Sequence, residues 1–390
     1  MFRQSWIYRR GPIQRMNAGK VGEQDRIDER LGTGPRLHTY QGQYVKARPH
    51  TSGYDRIAEI PNLKVNVVEL DLYSEVNPLE ENIPPLRGAG KLMYLSAHRK
   101  VEFLPEISPT LPPLLYMEAL QSRIDRRTVS RYERQTDRAR LKEDIQAYAA
   151  SLGFISGVTL LDRRFVTSGH DSDFPYETVL MLGMEMRKEY LLNAPNFRLR
   201  RYPDYDVYRR AGYRVHRVAS FLRRQGVSCA ARIPFDGAVI YPVHAILAGL
   251  GELGAFGGVI TPQYGPRQRW CLVSIDADLP LDNPVDFGIS RFCEGCLLCI
   301  AKCPGKAIPA EPLWWRGVYK RKINDLKCWA FFSNFKGCAI CINSCPFHRF
   351  GYDAVMDHHA RTGEVLGKKE ILAEETRLPV KGDRDESIFR

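Results

Sequence analysis

From about residue 137 the hydrophobic and polar positions fall into regular order. Leu141, Ile145, Tyr148 and Leu152 recur at helical spacing, and Gly153 follows as a stop. GVTLL (157–161) reads as a strand. TVLMLGMEM (178–186) reads as a second strand, apolar throughout and so buried on both faces. A long amphipathic helix is predicted over 205–224, with Tyr208, Ala211, Val215, Val218 and Leu222 along one stripe and Gly226 as its end. VSCAARI (227–233) is a further strand. Residues 244–257 mix helix with glycine turns. GGVIT, the turn PQYGPRQ and RWCLVSI then read as a hairpin. This alternation predicts an α+β or α/β core. Upstream, residues 1–60 are polar, Gly-rich and basic, an irregular extension. Residues 75–115 carry Pro84-Pro85 and Pro112-Pro113 and read as loop-like wrapping. Residues 351–390 are charged and are expected to wrap or trail.

Composition sets outer bounds. A chain of 390 residues that is 44% apolar fits two or three domains with a sizeable core. It holds no apolar run of membrane-spanning length. The opening MFRQSWIYRRGPIQRMNAGK has an Arg pair but no apolar stretch after it, so neither a signal peptide nor a twin-arginine export signal is read there. The expected location is cytoplasmic. Net charge is +12, with arginine crowded into 123–142 and 198–224. Such faces bind nucleic acid, an anionic substrate or an acidic redox partner, or are simply solvated helix surface.

The densest chemistry is near the end. Eight of the ten cysteines lie within 53 residues. Cys293, Cys296, Cys299 and Cys303, followed by Pro304, form C-x2-C-x2-C-x3-C-P. Cys328, Cys338, Cys341 and Cys345, followed by Pro346, repeat its last part with the leading cysteine moved upstream. This is the spacing of bacterial two-cluster ferredoxins, in which the last cysteine of each run ligates the other 4Fe–4S cluster. Cys293, Cys296, Cys299 and Cys345 are therefore assigned to one cluster, and Cys328, Cys338, Cys341 and Cys303 to the other. A disulfide framework suits small secreted chains. Structural zinc suits C-x2-C pairs but not three cysteines and a Cys-Pro, twice over. Cys229 and Cys271 lie in apolar strand-like stretches and are expected in the core.

Ahead of the cysteines stands AGLGELGAFGGVITPQYGPRQRWCLVSIDADLPLDNPVDFG, leading into FCEGCLLCIAKCP; KCWAFFSNFKGCAICINSCPF follows, and LKEDIQAYAASLGFISGVTLLDRRFV (141–166) lies upstream. These segments resemble the reductive dehalogenase family, most strongly over 248–347. The resemblance implies an α+β fold: a nitroreductase-like cobalamin-binding core with a C-terminal ferredoxin-like domain. It implies this order: a loop-rich extension over 1–130, the catalytic core over 131–285, the two-cluster domain over 286–350 and a tail over 351–390. It also implies two 4Fe–4S clusters and base-off cobalamin. The activity would be reduction of a small organic substrate, an organohalide among the candidates, by Co(I). Ala255 stands where the family usually has arginine. Neither the export signal of respiratory members nor the fused nicotinamide-dependent module of another subset is read here, which implies an external donor of ferredoxin or flavodoxin type. Epoxyqueuosine reductase, which acts on a transfer RNA base, shares the AGLG element and the double cysteine motif. Its usual continuation, GWIGKN, is GELGAFG here.

The resemblance also implies site residues. The family's proton donor is a tyrosine, assisted by a Lys or Arg downstream. Tyr208 and Arg267 stand 59 residues apart and are the candidates, with Arg269 the substitute if the register slips by two. A neighbouring guanidinium favours the phenolate and so eases proton transfer. Each has a plain reading as well, Tyr208 as an amphipathic core residue and Arg267 as a solvated turn residue. Asp236, in IPFDGAVIYP, is the alternative acid or an ordinary Asp-Gly turn. Gly251, Gly254, Gly257, Gly258 and Thr261 are the candidate cobalamin contacts, since glycine allows close backbone approach. The segment Asp357–Gly363 is one residue too long for the D-x-H-x-x-G lower-ligand loop of other cobalamin enzymes. Three functions remain open: a dehalogenase-type reductase, a transfer RNA-modifying reductase, and a non-catalytic electron carrier.

Overall fold

The computed structural model describes residues 56–74, 137–166, 173–192, 203–234, 238–315, 317–324, 327–328, 331–332 and 338–375. The proline-rich 75–115 stretch and Asp236 lie outside them. The first described elements follow a 3₁₀ turn, Arg56–Glu59: β1 (Lys64–Val65) and α1 (Val67–Ser74). The sheet region follows, with α2 (Arg138–Ser151), β2 (Phe154–Leu160), β3 (Thr178–Glu185), α3 (Lys188–Leu192), α4 (Pro203–Arg224) and β4 (Cys229–Arg232). It closes with α5 (Tyr241–Leu247), β5 (Glu252–Leu253), β6 (Val259–Ile260) and β7 (Gln268–Ile275). The cysteine region holds α6 (Ile289–Cys296), α7 (Leu298–Ala301), β8 (Leu313–Trp315), β9 (Val318–Lys320), α8 (Ile340–Asn343), α9 (Pro346–Arg349), α10 (Tyr352–Thr362) and α11 (Lys368–Ala373).

The centre is a four-stranded antiparallel sheet in the order β2-β3-β7-β4. Leu180, Leu182 and Met184 face α2 and α4, as do Cys271, Val273 and Ile275. Val179 and Met181, with Trp270 and Leu272, face α5 on the other side. Alternation at period two with helices on both faces makes β3 apolar at nearly every position. Each fully buried aliphatic side chain contributes about 1.5–3 kcal/mol. Gly183 opposes Trp270, and a Cβ there would stand 2.6 Å from the indole ring. Gly183→Ala would therefore push the two central strands apart.

The helices begin and end where their sequences direct. Asp137 caps α2, accepting from the Arg140 N–H at 3.0 Å, and Gly153 turns the chain away at φ +80°. Val207, Ala211, Val215, Val218 and Leu222 of α4 are fully buried. Cys229 and Cys271 are core residues, as expected. The expected hairpin joining GGVIT to RWCLVSI is a correction. β6 pairs with β5, Glu252 opposite Ile260, while β7 lies between β3 and β4. Two residues are too few to show a period, so the sequence could not choose between the partners.

The described start of the chain is part of the body. Ile57, Ile60 and Leu70 are buried with α5, and β1 pairs with β9 beside the cysteines. Near the C-terminal end, Val355 of α10 and Ile371 of α11 are buried in a third core with Ile289, Phe292 and Phe347. The stretch expected to wrap or trail thus wraps, at least through Ala373.

Candidate redox site

The sequence repeat is also a conformational repeat. Leu297 follows Cys296 at φ +53°, and Ala339 follows Cys338 at φ +47°. Left-handed non-glycine residues are uncommon and cost energy. At the same place in each C-x2-C they turn the next backbone N–H onto sulfur: Leu298 onto Cys296, and Ile340 onto Cys338. Other amides do likewise, Ala307 N–H donating to Cys303 Sγ at 3.3 Å and Phe347 and His348 to Cys345.

The chain crosses between the runs. Cys345 lies within electrostatic reach of Cys293 and Cys296. Cys341 is within reach of Cys338, Cys328 and Cys303, and also of Cys299. A small pocket opens among Cys293, Cys296, Cys299 and Cys345, with Cys341 on its border and Ala255 and Phe256 on one wall. None of the ten cysteines forms a disulfide. Among the described residues no three Cys, His, Asp or Glu side chains converge as a single-ion site requires. Burial pushes the Cys293 and Cys299 thiols up to about 12 and raises those of Cys341 and Cys345 well above the ordinary thiol range. Buried sulfurs of this kind ionise only beside compensating positive charge. Sulfurs from both runs beside one pocket, with backbone amides aimed at them, fit a metal–sulfur cluster.

Glu252, in the middle of AGLGELG, joins this centre to the sheet. It is buried, and its carboxylate accepts from the Phe287 N–H and, at 2.6 Å, from the Ser290 N–H. A negative charge at the first turn of α6 is stabilised there, and α6 carries Cys293 and Cys296. The surrounding glycines are filled by their own hairpin. A Cβ on Gly251 would stand 2.3 Å from the Ile260 carbonyl oxygen, and one on Gly254 2.6 Å from its side chain. A Cβ on Gly258 would stand 2.6 Å from the Phe256 ring. Gly257, at φ +81°, faces Ile323. Thr261 is buried and its hydroxyl accepts from the Tyr264 N–H at 3.0 Å.

The tyrosine candidate meets the substitute arginine. The Arg269 guanidinium lies over the Tyr208 ring, 5.9 Å from its centre. Arg267 instead pairs with Glu185 at 2.8 Å. Beside that pair, burial and the Glu185 charge raise the Tyr264 hydroxyl, although Arg267 opposes them. His348 is fully buried, with neither ring nitrogen partnered among the described residues. Burial first, then the charges of Arg267, Lys188 and Arg349, push it down to about 3, so it is neutral near pH 7. Gln268 is also buried with its side-chain oxygen unpartnered. Sequence reasoning passed over Glu185, Glu252, Tyr264, Gln268 and His348. Glu252 and Tyr264 sit inside the quoted motifs, among glycines and an arginine that drew the reading. His348 follows the Cys-Pro by two residues.

The chain is 31% identical over 189 residues to the tetrachloroethene reductive dehalogenase of Sulfurospirillum multivorans, an overlap of 44% of this chain and 35% of that protein. The chain resembles the reductive dehalogenases. A second tetrachloroethene reductive dehalogenase, from Dehalobacter restrictus, is 33% identical over 148 residues, 35% of this chain and 26% of that protein. At lower identity, 27% over 175 residues, stands an epoxyqueuosine reductase of a Synechococcus species, matched over 40% of this chain and 47% of that protein. The matches thus span only about a fifth to a third of the length of those dehalogenases. The fold is that of a catabolic reductive dehalogenase, NpRdhA, solved with 3-bromo-4-hydroxybenzoic acid: TM-score 0.58 and 21% identity, over 68% of this chain and 40% of that one. No protein-family model matches the chain. Among the described residues no helix is long and apolar enough to cross a membrane.

Proposed function

We propose that the chain is the catalytic core of a cobalamin-dependent reductase of dehalogenase type, fed by two 4Fe–4S clusters. The observation that carries this is the crossed cysteine arrangement around a pocket walled by the hairpin that leaves the sheet. Cys293, Cys296, Cys299 and Cys345 would hold the inner cluster, and Cys303, Cys328, Cys338 and Cys341 the outer one. The clusters supply single low-potential electrons, and a corrinoid supplies the reducing centre. The buried, unpartnered groups of Gln268 and His348, next to Arg267 and Lys188, match the amide-bearing rim of such a ligand. Residues 131–285 are then a nitroreductase-like core, and 286–350 a ferredoxin-like domain.

Tyr208 donates the proton in this reading. Two electrons, passed on one at a time, and its hydroxyl proton would replace the carbon–halogen bond by a carbon–hydrogen bond with loss of halide, and the Arg269 charge over its ring stabilises the phenolate left behind. Arg267, held by Glu185, is a positioning residue on the same edge. The substrate is a small organic molecule, an organohalide first. With the reconstituted chain and a chemical reductant, halide release from aryl and alkyl halides is expected. Tyr208→Phe lowers it about a hundredfold or more, within the range of general acid catalysis. Full turnover in Tyr208→Phe, with none in Asp236→Asn, transfers the proton donor's role to Asp236. A transfer RNA substrate is the second reading, favoured by Arg209, Arg217 and Arg224 exposed on α4. Salt-dependent binding of transfer RNA without halide release would support it.

A further inference from the structure

The outer set of cysteines lies at a basic edge. Cys328 is exposed and Cys303 and Cys338 are half-buried, whereas Cys293, Cys296 and Cys345 are buried. Backbone bonds lace the loop after Cys303 to the segment ending at Cys328. The Asn324 N–H donates to the Ala307 carbonyl at 2.8 Å, and the Cys328 N–H to the Asn324 carbonyl at 3.0 Å. The Lys327 N–H donates to Asn324 Oδ1 at 2.9 Å. The Lys327 carbonyl lies against Gly305, close enough that a Cβ there would stand 2.9 Å from it. Lys306 and Lys327, both exposed, are thereby held beside Cys303 and Cys328. Arg321 donates to the Ala310 carbonyl at 3.1 Å, and its charge reaches Cys299. From Lys302 to Lys327 the sequence holds seven basic residues and only two acidic ones, Glu311 and Asp325. Like-signed charge around a docking point raises encounter rates with an oppositely charged protein by roughly 10–10³.

We propose that this edge is the docking surface for an acidic one-electron carrier protein. The proposal rests on the reading that Cys303, Cys328, Cys338 and Cys341 hold a 4Fe–4S cluster. One electron leaves the reduced carrier, which is oxidised by one electron, and the outer cluster is reduced by one; no bond or proton changes place. Cys341 borders the inner pocket, so the electron has a short onward route to the inner cluster. Nucleic acid is also attracted by basic surface, but Lys306 and Lys327 flank the outer cysteines rather than Tyr208. That placement favours a carrier.

The test uses the full chain reconstituted with iron and sulfide, a reduced acidic ferredoxin as donor, and stopped-flow absorbance to read the second-order rate of cluster reduction. The rate is expected to fall steeply with added salt. It should drop about tenfold or more in Lys306→Glu/Lys327→Glu at low salt. It should not drop when the donor is reduced methyl viologen, a small cation. Lys306→Gln/Lys327→Gln, a milder change, should show a smaller fall of the same sign. Iron content separates the failures. An iron-loaded parent whose ferredoxin rate ignores salt, or an iron-loaded variant as fast as the parent, overturns the proposal alone. A variant that loses transfer RNA binding while keeping its ferredoxin rate also overturns it. A parent chain that takes up no iron overturns the reading of the cysteines and this proposal together.

Discussion

His216 is a buried base that the proposed chemistry leaves aside. It lies in α4 with neither ring nitrogen partnered among the described residues. Burial, then the charges of Arg223 and Arg232, push it down to about 4 from 6.5. As pH falls below 6.5 the unfolded chain takes the proton first, so stability falls through the window from 6.5 to about 4 and levels below it. The loss is on the order of 3 kcal/mol at most. Thermal melting across that window should fall less steeply in His216→Leu than in the parent. Equal slopes would show that the ring titrates normally in the fold. At this scale the meeting of the two cysteine runs was legible, because their spacing pairs the last cysteine of each run with the other. The tyrosine's partner was not. Arg267 and Arg269 lie in one turn-to-strand segment, and only the β3–β7 register, with Met184 opposite Arg269, sends Arg269 toward Tyr208.

Between elements, the Glu252 carboxylate fastens the β5–β6 hairpin to the first turn of α6. Glu252→Gln replaces one acceptor with a donor and leaves a half-buried backbone N–H unpaired, at a cost of about 1 kcal/mol. A lower denaturation midpoint is expected, together with weaker iron retention, since α6 carries Cys293 and Cys296. An unchanged midpoint would mean that Ser290 and its bond to the Leu253 carbonyl hold the junction alone. The long elements were readable in advance: α2 and α4 from their 3.6-residue stripes, β3 and β7 from apolar runs. The short ones were not, because β5 and β6 are fixed by glycines packing on Ile260 and Phe256 rather than by any period. Gly265 shows the same limit. At φ +59° it brings its turn against the backbone of Phe347 and His348, a contact between segments far apart in sequence.

For the whole molecule, sheet and cysteine region depend on each other. β1 pairs with β9, the β5–β6 hairpin walls the inner pocket, and α10 and α11 close the third core. Cluster assembly should therefore stabilise the sheet as well. Iron-loaded chain is expected to melt higher than iron-free chain when followed by far-ultraviolet circular dichroism, by the linkage that favours any state binding the ligand. Identical curves would mean the two regions unfold independently. The most direct measurement is the metal and sulfide content of the chain purified or reconstituted without oxygen in the presence of a corrinoid. About eight iron and one cobalt per chain are predicted. Zinc in place of iron, or iron without sulfide, would contradict two clusters. Full iron with no cobalt would leave an electron carrier rather than a corrinoid reductase.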